Sequence, residues 1–196
     1  MVLGRLRERY QKAMVPVGRA LSKTGLSPNA LTLIATFISF LSGVAFYMRL
    51  LYLGVLLILV TGFFDMLDGA VARATGKATR FGAVLDHVLD RYAEYFILVG
   101  IVMGGFVDWF WGVFALFGMI MASFTRAKAE SVGGLASCTV GIAERQEKLI
   151  LIIAGSIVEV WIHGALTVCV IIVGVLSQIT VVQRLSYTRN KTMEKK

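Results

Sequence analysis

Charge is scarce in this sequence. Asp, Glu, Lys and Arg make up 16% of its 196 residues and the mean hydropathy is +0.77, whereas soluble domains carry about a quarter charged residues. That shortage excludes an ordinary water-soluble domain and points to a single integral membrane domain. Cysteine and histidine are rarer still, with two of each. Cys138 and Cys169 have neither metal-ligand spacing nor a neighbouring histidine, so nothing marks a zinc site or a reactive thiol, and Cys169 sits in an apolar run as a small packing residue. Residues 1–24 lack the apolar core and small-residue cleavage site of a signal peptide. No internal repeat and no strand-like alternation is visible. Because open sheet would leave unpaired polar groups in lipid, the expected fold is all-α.

What the chain does have is apolar runs long enough to cross about 30 Å of hydrocarbon. They cover Ala30–Tyr47, Leu50–Phe64, Ala83–Val107, Phe110–Phe124, Leu149–Trp161 and Ala165–Val182. The pattern predicts six transmembrane helices with both termini on one side. Of the 20 Lys and Arg residues, Arg49 alone falls in the three connections of the opposite side, so the terminal side is expected to be the cytoplasm. The net charge of +8 therefore marks topology and anionic head groups rather than nucleic acid. Residues 1–24 carry Leu3, Leu6, Tyr10, Met14 and Val17 at helical spacing among basic residues, as an amphipathic surface helix would. The expected layout is this helix, a six-helix domain over 25–187, and a basic, disordered C-terminal tail over 188–196.

Against this apolar background stand Asp65, Asp68, Asp86 and Asp90. Carboxylates in or near a bilayer are expensive and mark function. Residues i, i+3 and i+4 share a helix face, so Asp65 pairs with Asp68, and Gly82, Asp86 and Asp90 form a second stripe. The short connection from Arg73 to Phe81 is expected to fold the two helices antiparallel, with these stripes face to face. Four confined carboxylates require cations, and an oxygen-only donor set suits Mg²⁺, Mn²⁺ or Ca²⁺. Two such ions clamp a diphosphate. Gly69 and Gly82 leave room for a substrate, and Arg73, one turn beyond Gly69, is placed to meet a phosphate.

The string Asp65-x2-Asp68-Gly69-x2-Ala72-Arg73-x8-Gly82-x3-Asp86-x3-Asp90 spans 26 residues and resembles, at all eight positions, the signature of the CDP-alcohol phosphotransferases. The resemblance implies an enzyme of the cytoplasmic membrane that uses a CDP-linked alcohol, usually CDP-diacylglycerol or CDP-archaeol. A second alcohol attacks the β-phosphorus and CMP leaves. It implies Asp65, Asp68 and Asp86 as ligands of Mg²⁺ or Mn²⁺, with Asp90 as general base and possible further ligand. Gly69, Ala72, Arg73, Gly82 and, less strongly, Thr79 would meet the CDP portion, and the assembly would be a homodimer. No Ser-His-Asp, Cys-His or Walker arrangement competes. His87 is expected to point away from Asp86, and His163 to lie on the other side of the membrane.

The acceptor is addressed by a second region, Ser123-Phe-Thr-Arg126-Ala-Lys128-Ala-Glu130 and Glu144-Arg145-Gln-Glu-Lys148. These stretches resemble the inositol phosphate-using members, the phosphatidylinositol phosphate and archaetidylinositol phosphate synthases. The resemblance implies that Arg126, Lys128 and Arg145 hold the acceptor's phosphate, with Lys148 and Arg184 assisting. Positive-inside charge is the plainer account of any one of these cations. Glycerol 3-phosphate is an alternative acceptor; a basic rim suits serine less, and ethanolamine or choline transfer is a further possibility. From another class, an intramembrane cation carrier would explain the aspartates but not Gly69, Arg73, Gly82 or the basic rim.

Overall fold

The computed structural model describes residues 16–20, 25–76 and 78–193. The amphipathic helix expected over 1–24 lies largely outside the described residues; 16–20 are helical, and Gly18 meets the backbone of Ala70 so closely that a Cβ there would fall 2.6 Å from its carbonyl oxygen. Six long helices follow: α1 (Pro28–Tyr47), α2 (Leu51–Thr75), α3 (Arg80–Met103), α4 (Trp109–Ser131), α5 (Arg145–Val158) and α6 (Ala165–Met193). No strand occurs among the described residues.

Local chemistry sets most of the boundaries. Ser27 caps α1, accepting from the Ala30 amide at 3.2 Å, with Pro28 in the first turn. Gly76 ends α2 in the left-handed region at φ 64°. Thr79 starts α3 by accepting from the Gly82 amide at 2.9 Å, and Asp108 starts α4 by accepting from the Phe110 amide at 2.9 Å. Glu144 and Glu147 form a capping box at the head of α5. Glu159, buried at the far end of α5, accepts from the amides of Gly164 and Leu166 and so organises the entry to α6.

By length and composition, α1, α2, α4 and α6 can each cross a membrane. The other two fall short for different reasons. α3 has 24 residues, about 36 Å of helix at 1.5 Å per residue, but carries Asp86, Asp90, Arg91 and Glu94. α5 has 14 residues, about 21 Å. Exposed apolar side chains such as Phe37, Leu56, Leu59, Phe117 and Val182 cover the outer faces, as lipid-facing residues do. Trp109 and Trp161 are exposed at the end opposite the aspartates, at the level where aromatic belts form.

The helices pack as two triples. α1 contacts α2 and α3; α6 contacts α4 and α5; α3 with α4 and α2 with α5 join the halves. One core draws on all six helices, through Phe46, Ile58, Ile97, Ile101, Met119, Ile152, Leu166 and Val173, nearly all toward the end remote from the aspartates. The α1–α3 crossing is a backbone contact. A Cβ on Gly100 would lie 2.1 Å from the Gly43 carbonyl oxygen, so only glycine fits there.

The acidic stripes of α2 and α3 face each other across a gap: among the described residues the two backbones do not touch, and α1 packs against both. One expectation is corrected. The tail expected to be disordered from 188 is instead helix as far as Met193, the last described residue. Tyr187 packs on the cluster of Ala129, Leu135 and Cys138, which rewards continuing the helix, and the Thr188 and Thr192 hydroxyls are satisfied by carbonyls one turn earlier.

Candidate active site

α2 does not stop at its apolar run but continues through the acidic motif, so Asp65, Asp68, Gly69, Ala72 and Arg73 share one helix. Asp86 and Asp90 stand on the first half of α3. Across the gap, one carboxylate oxygen from each of Asp65, Asp68 and Asp86 falls within 4.8 Å of the others. Asp86 Oδ1 is buried with no hydrogen-bond partner. A buried acceptor without a donor is costly, and three hard oxygens converging beside it fit a divalent cation. His87 was expected to point away, but a ring nitrogen lies within 4.8 Å of oxygens of Asp86 and Asp90. Helical phase places its Cβ, whereas the long side chain swings back.

α1 supplies residues that sequence spacing did not single out. Thr32 donates to Asp68 Oδ2 at 2.8 Å. Thr32 and Asn29 line a cleft of about 170 Å³ together with Asp68, Gly69, Ala72, Thr79, Gly82 and Asp86. Their signal was the Ser27-Pro28-Asn29 helix start, which announces a boundary but not a partner. The same cleft thus gathers four of the five residues expected at the CDP portion. The fifth, Arg73, is exposed and its guanidinium lies over Gly69, where a Cβ would sit 3.1 Å from Nη1.

The opposite wall is basic. Arg145, the first residue of α5, reaches Asp90 Oδ1 at 2.7 Å and Asp65 Oδ2 at 3.1 Å through Nη1. Its Nε lies 3.7 Å from Glu94 Oε1, and Arg91 Nη1 lies 2.7 Å from Glu94 Oε2. Lys148 is buried one turn along α5, within electrostatic reach of both Glu94 and Arg184. Arg184 is buried and donates to the carbonyls of Ala122, at 2.6 Å, and Val140, at 2.9 Å, thereby tying α6 to α4 and the 132–144 connection. Arg126 is paired with Glu130 at 3.0 Å and interacts with Arg184. Lys128 stands apart, over the exposed Phe124 ring at 5.5 Å. Arg91 and Glu94 belong to this wall although no motif pointed to them. His163 is at the far end, 3.8 Å from Glu159.

A three-carboxylate cluster, a glycine-floored cleft and an adjoining wall of cations are what a metal-dependent reaction of a diphosphate requires. Residues 25–180 match the family model of the CDP-alcohol phosphatidyltransferases. The chain belongs to that family. It is an enzyme of the CDP-alcohol phosphotransferase class. It is 37% identical over 193 residues to the archaetidylinositol phosphate synthase of Pyrococcus horikoshii, covering 98% of this chain and 99% of that one. The crystal structure of Mycobacterium tuberculosis phosphatidylinositol phosphate synthase with CDP-DAG bound superposes with a TM-score of 0.82 at 31% identity, over 90% of this chain and 94% of that one. The same protein in complex with manganese and citrate matches at 0.82 and 32%, over 90% and 88%. Family membership answers the cation-carrier alternative, since it accounts for the glycines and the basic wall as well as the aspartates.

Proposed function

We propose that this enzyme transfers a lipid phosphoryl group from a CDP-lipid to inositol phosphate and releases CMP. The carrying observation is the juxtaposition at Asp90. This carboxylate lies between the Asp65–Asp68–Asp86 cluster and a cation wall begun by Arg145, 2.7 Å away. Donor and acceptor would therefore meet there, with the acceptor's own phosphate against Arg145 and Lys148. The names of the relatives support inositol phosphate as that acceptor and a CDP-lipid as donor.

The reaction makes a bond from the acceptor hydroxyl oxygen to the lipid-bearing β-phosphorus and breaks the bond from that phosphorus to the CMP oxygen. Asp90 receives the hydroxyl proton, as a positioned base for an alcohol of high pKa. Asp65, Asp68 and Asp86, with Asp90 beside them, would hold Mg²⁺ or Mn²⁺, and Thr32 orients Asp68 by its 2.8 Å hydrogen bond. A divalent cation held by these carboxylates, or a pair of such cations, would supply charge neutralisation for the diphosphate. Gly69, Ala72, Thr79 and Gly82 give the nucleotide backbone-level access from the cleft, and Arg73 supplies a phosphate partner at its rim. Arg126 and Arg184 complete the basic surround, Arg184 by fixing the 132–144 connection, while Lys128 lies outside it over Phe124.

In the membrane all six helices cross, with Glu94 of α3 turned inward and its Val84, Val88, Tyr92 and Tyr95 outward, and with α5 short. Both termini and the site face the cytoplasm, as the distribution of basic residues supports. The working assembly is a homodimer. A panel of alcohols assayed for CMP release from one CDP-lipid tests the reading. Inositol phosphate is expected to be the best acceptor. Preference for glycerol 3-phosphate or for an unphosphorylated alcohol would refute it.

A further inference from the structure

Glu94 lies one turn beyond Asp90 on the inward face of α3 and is 2% exposed. Neither the aspartate motif nor the reaction above uses it. A carboxylate buried this deeply persists only beside opposite charge, so its partners indicate its purpose. Arg91 meets one of its oxygens at 2.7 Å and Arg145 faces the other at 3.7 Å. Lys148, itself 4% exposed, adds a third positive charge within electrostatic reach. Arg145 is thereby gripped at two edges, Nη1 by Asp65 and Asp90 and Nε by Glu94. Arg91 is similarly stretched between Glu94 and Asp90, whose Oδ2 lies 3.9 Å from its Nη2.

These contacts of Glu94 are ionic rather than aligned hydrogen bonds. Both Glu94 oxygens and the Nε atoms of Arg91 and Arg145 are buried without an aligned partner. The Nε–H of Arg145 faces Glu94 at 3.7 Å, so Glu94 sets the orientation of that edge of the guanidinium by charge. Without the negative charge of Glu94, Arg145 would be anchored by the aspartates alone, through Nη1, and Arg91 would lose its 2.7 Å partner.

We propose that Glu94 is a positioning residue for the acceptor. It fixes the Nε edge of Arg145 while Asp65 and Asp90 fix Nη1, with Arg91 balancing the other Glu94 oxygen, so that the guanidinium presents its remaining Nη2 edge to a phosphate on the alcohol that reacts at Asp90. The proposal rests on the reading that Arg145 meets the acceptor.

The test is Glu94→Gln, which keeps the volume and removes the charge, in the purified full-length protein. CMP release is measured with the acceptor that the wild-type enzyme uses, against varied acceptor and varied CDP-lipid. Loss of one charge-assisted contact predicts an acceptor KM raised about tenfold or more, with the CDP-lipid KM changed less than about twofold. Glu94→Asp should recover part of the loss. In an Arg145→Ala background, Glu94→Gln should add less than about twofold, because the two act as one unit. An unchanged acceptor KM, equal shifts for donor and acceptor, or a Glu94→Gln effect that persists in full without Arg145 would each overturn the proposal. Should Glu94→Gln fail to fold, Glu94→Asp must show the same acceptor-selective shift in smaller measure, and equal shifts there count against it. If the wild-type enzyme prefers an acceptor other than inositol phosphate, the assignment of substrate fails while the Glu94 comparison is read with that acceptor.

Discussion

Replacing Gly100 with alanine should loosen the active site although the residue lies far from it. The new methyl would sit 2.1 Å from the Gly43 carbonyl oxygen and 2.5 Å from its Cα, where ordinary contact begins at 3.4 Å. The deficit is about 1.3 Å, and the obstacle is helix backbone, which cannot rotate aside as a side-chain tip can. α1 and α3 must therefore separate or tilt. Overpacking of this kind costs roughly 1–3 kcal/mol or more. α1 carries Thr32 and α3 carries Asp86 and Asp90, so the separation also misaligns the donor to Asp68 with the aspartates it serves. Misplacement by about 1 Å can lower turnover by about a hundredfold. The assay pairs thermal unfolding in detergent with CMP release at saturating substrates. Gly62→Ala is the internal control: a Cβ there meets nothing within 4 Å, and relief of helical glycine should leave stability unchanged or raise it by about 0.5–1 kcal/mol. A Gly100→Ala protein with wild-type melting and turnover, or a Gly62→Ala protein equally impaired, would refute the crossing argument.

Asp90→Asn should abolish turnover while equilibrium binding of the CDP-lipid persists; substantial remaining turnover would remove Asp90 from the role of base. Thr32→Val deletes the 2.8 Å hydrogen bond to Asp68 at nearly constant volume. A hydrogen bond to a charged group is worth about 1.5–3 kcal/mol, so the Mn²⁺ concentration for half-maximal CMP release should rise by about tenfold or more, and an unchanged metal requirement would count against the pairing. Gly69→Ala meets only the flexible end of Arg73, at 3.1 Å. Melting should hold while the CDP-lipid KM rises by about tenfold, and a rise confined to the acceptor KM would place the nucleotide elsewhere.

Much of the site was legible because its key spacings are local. Asp65 and Asp68, like Asp86 and Asp90, are separated by one helical turn, so periodicity alone puts each pair on one face. The boundaries were less legible, because hydropathy marks where lipid ends and not where a helix ends. α2 therefore runs through its charged motif to Thr75, and α6 runs on to Met193. The acceptor wall was legible as composition only. Arg145, Lys148 and Arg184 read as a basic rim, yet Arg184 is buried as a backbone strut, and Lys128 stands over Phe124, away from the others.

The sequence by itself determined that this is an all-helical membrane protein with two acidic stripes and an excess of basic residues at one membrane surface. Those are consequences of hydropathy and helical phase, which act over a few residues. The tertiary structure decided which stripes meet and across what. Thr32 reaches Asp68 from 36 residues away, Arg145 reaches Asp65 from 80 residues away, and α1 rather than α3 lies against α2. Neighbourhood of that kind is set by where small residues let backbones approach, as at Gly43 and Gly100. It is also set by how buried charges find opposite charge, as Glu94 does between Arg91 and Arg145. Both depend on pairs of distant positions, which no local pattern in a single chain encodes.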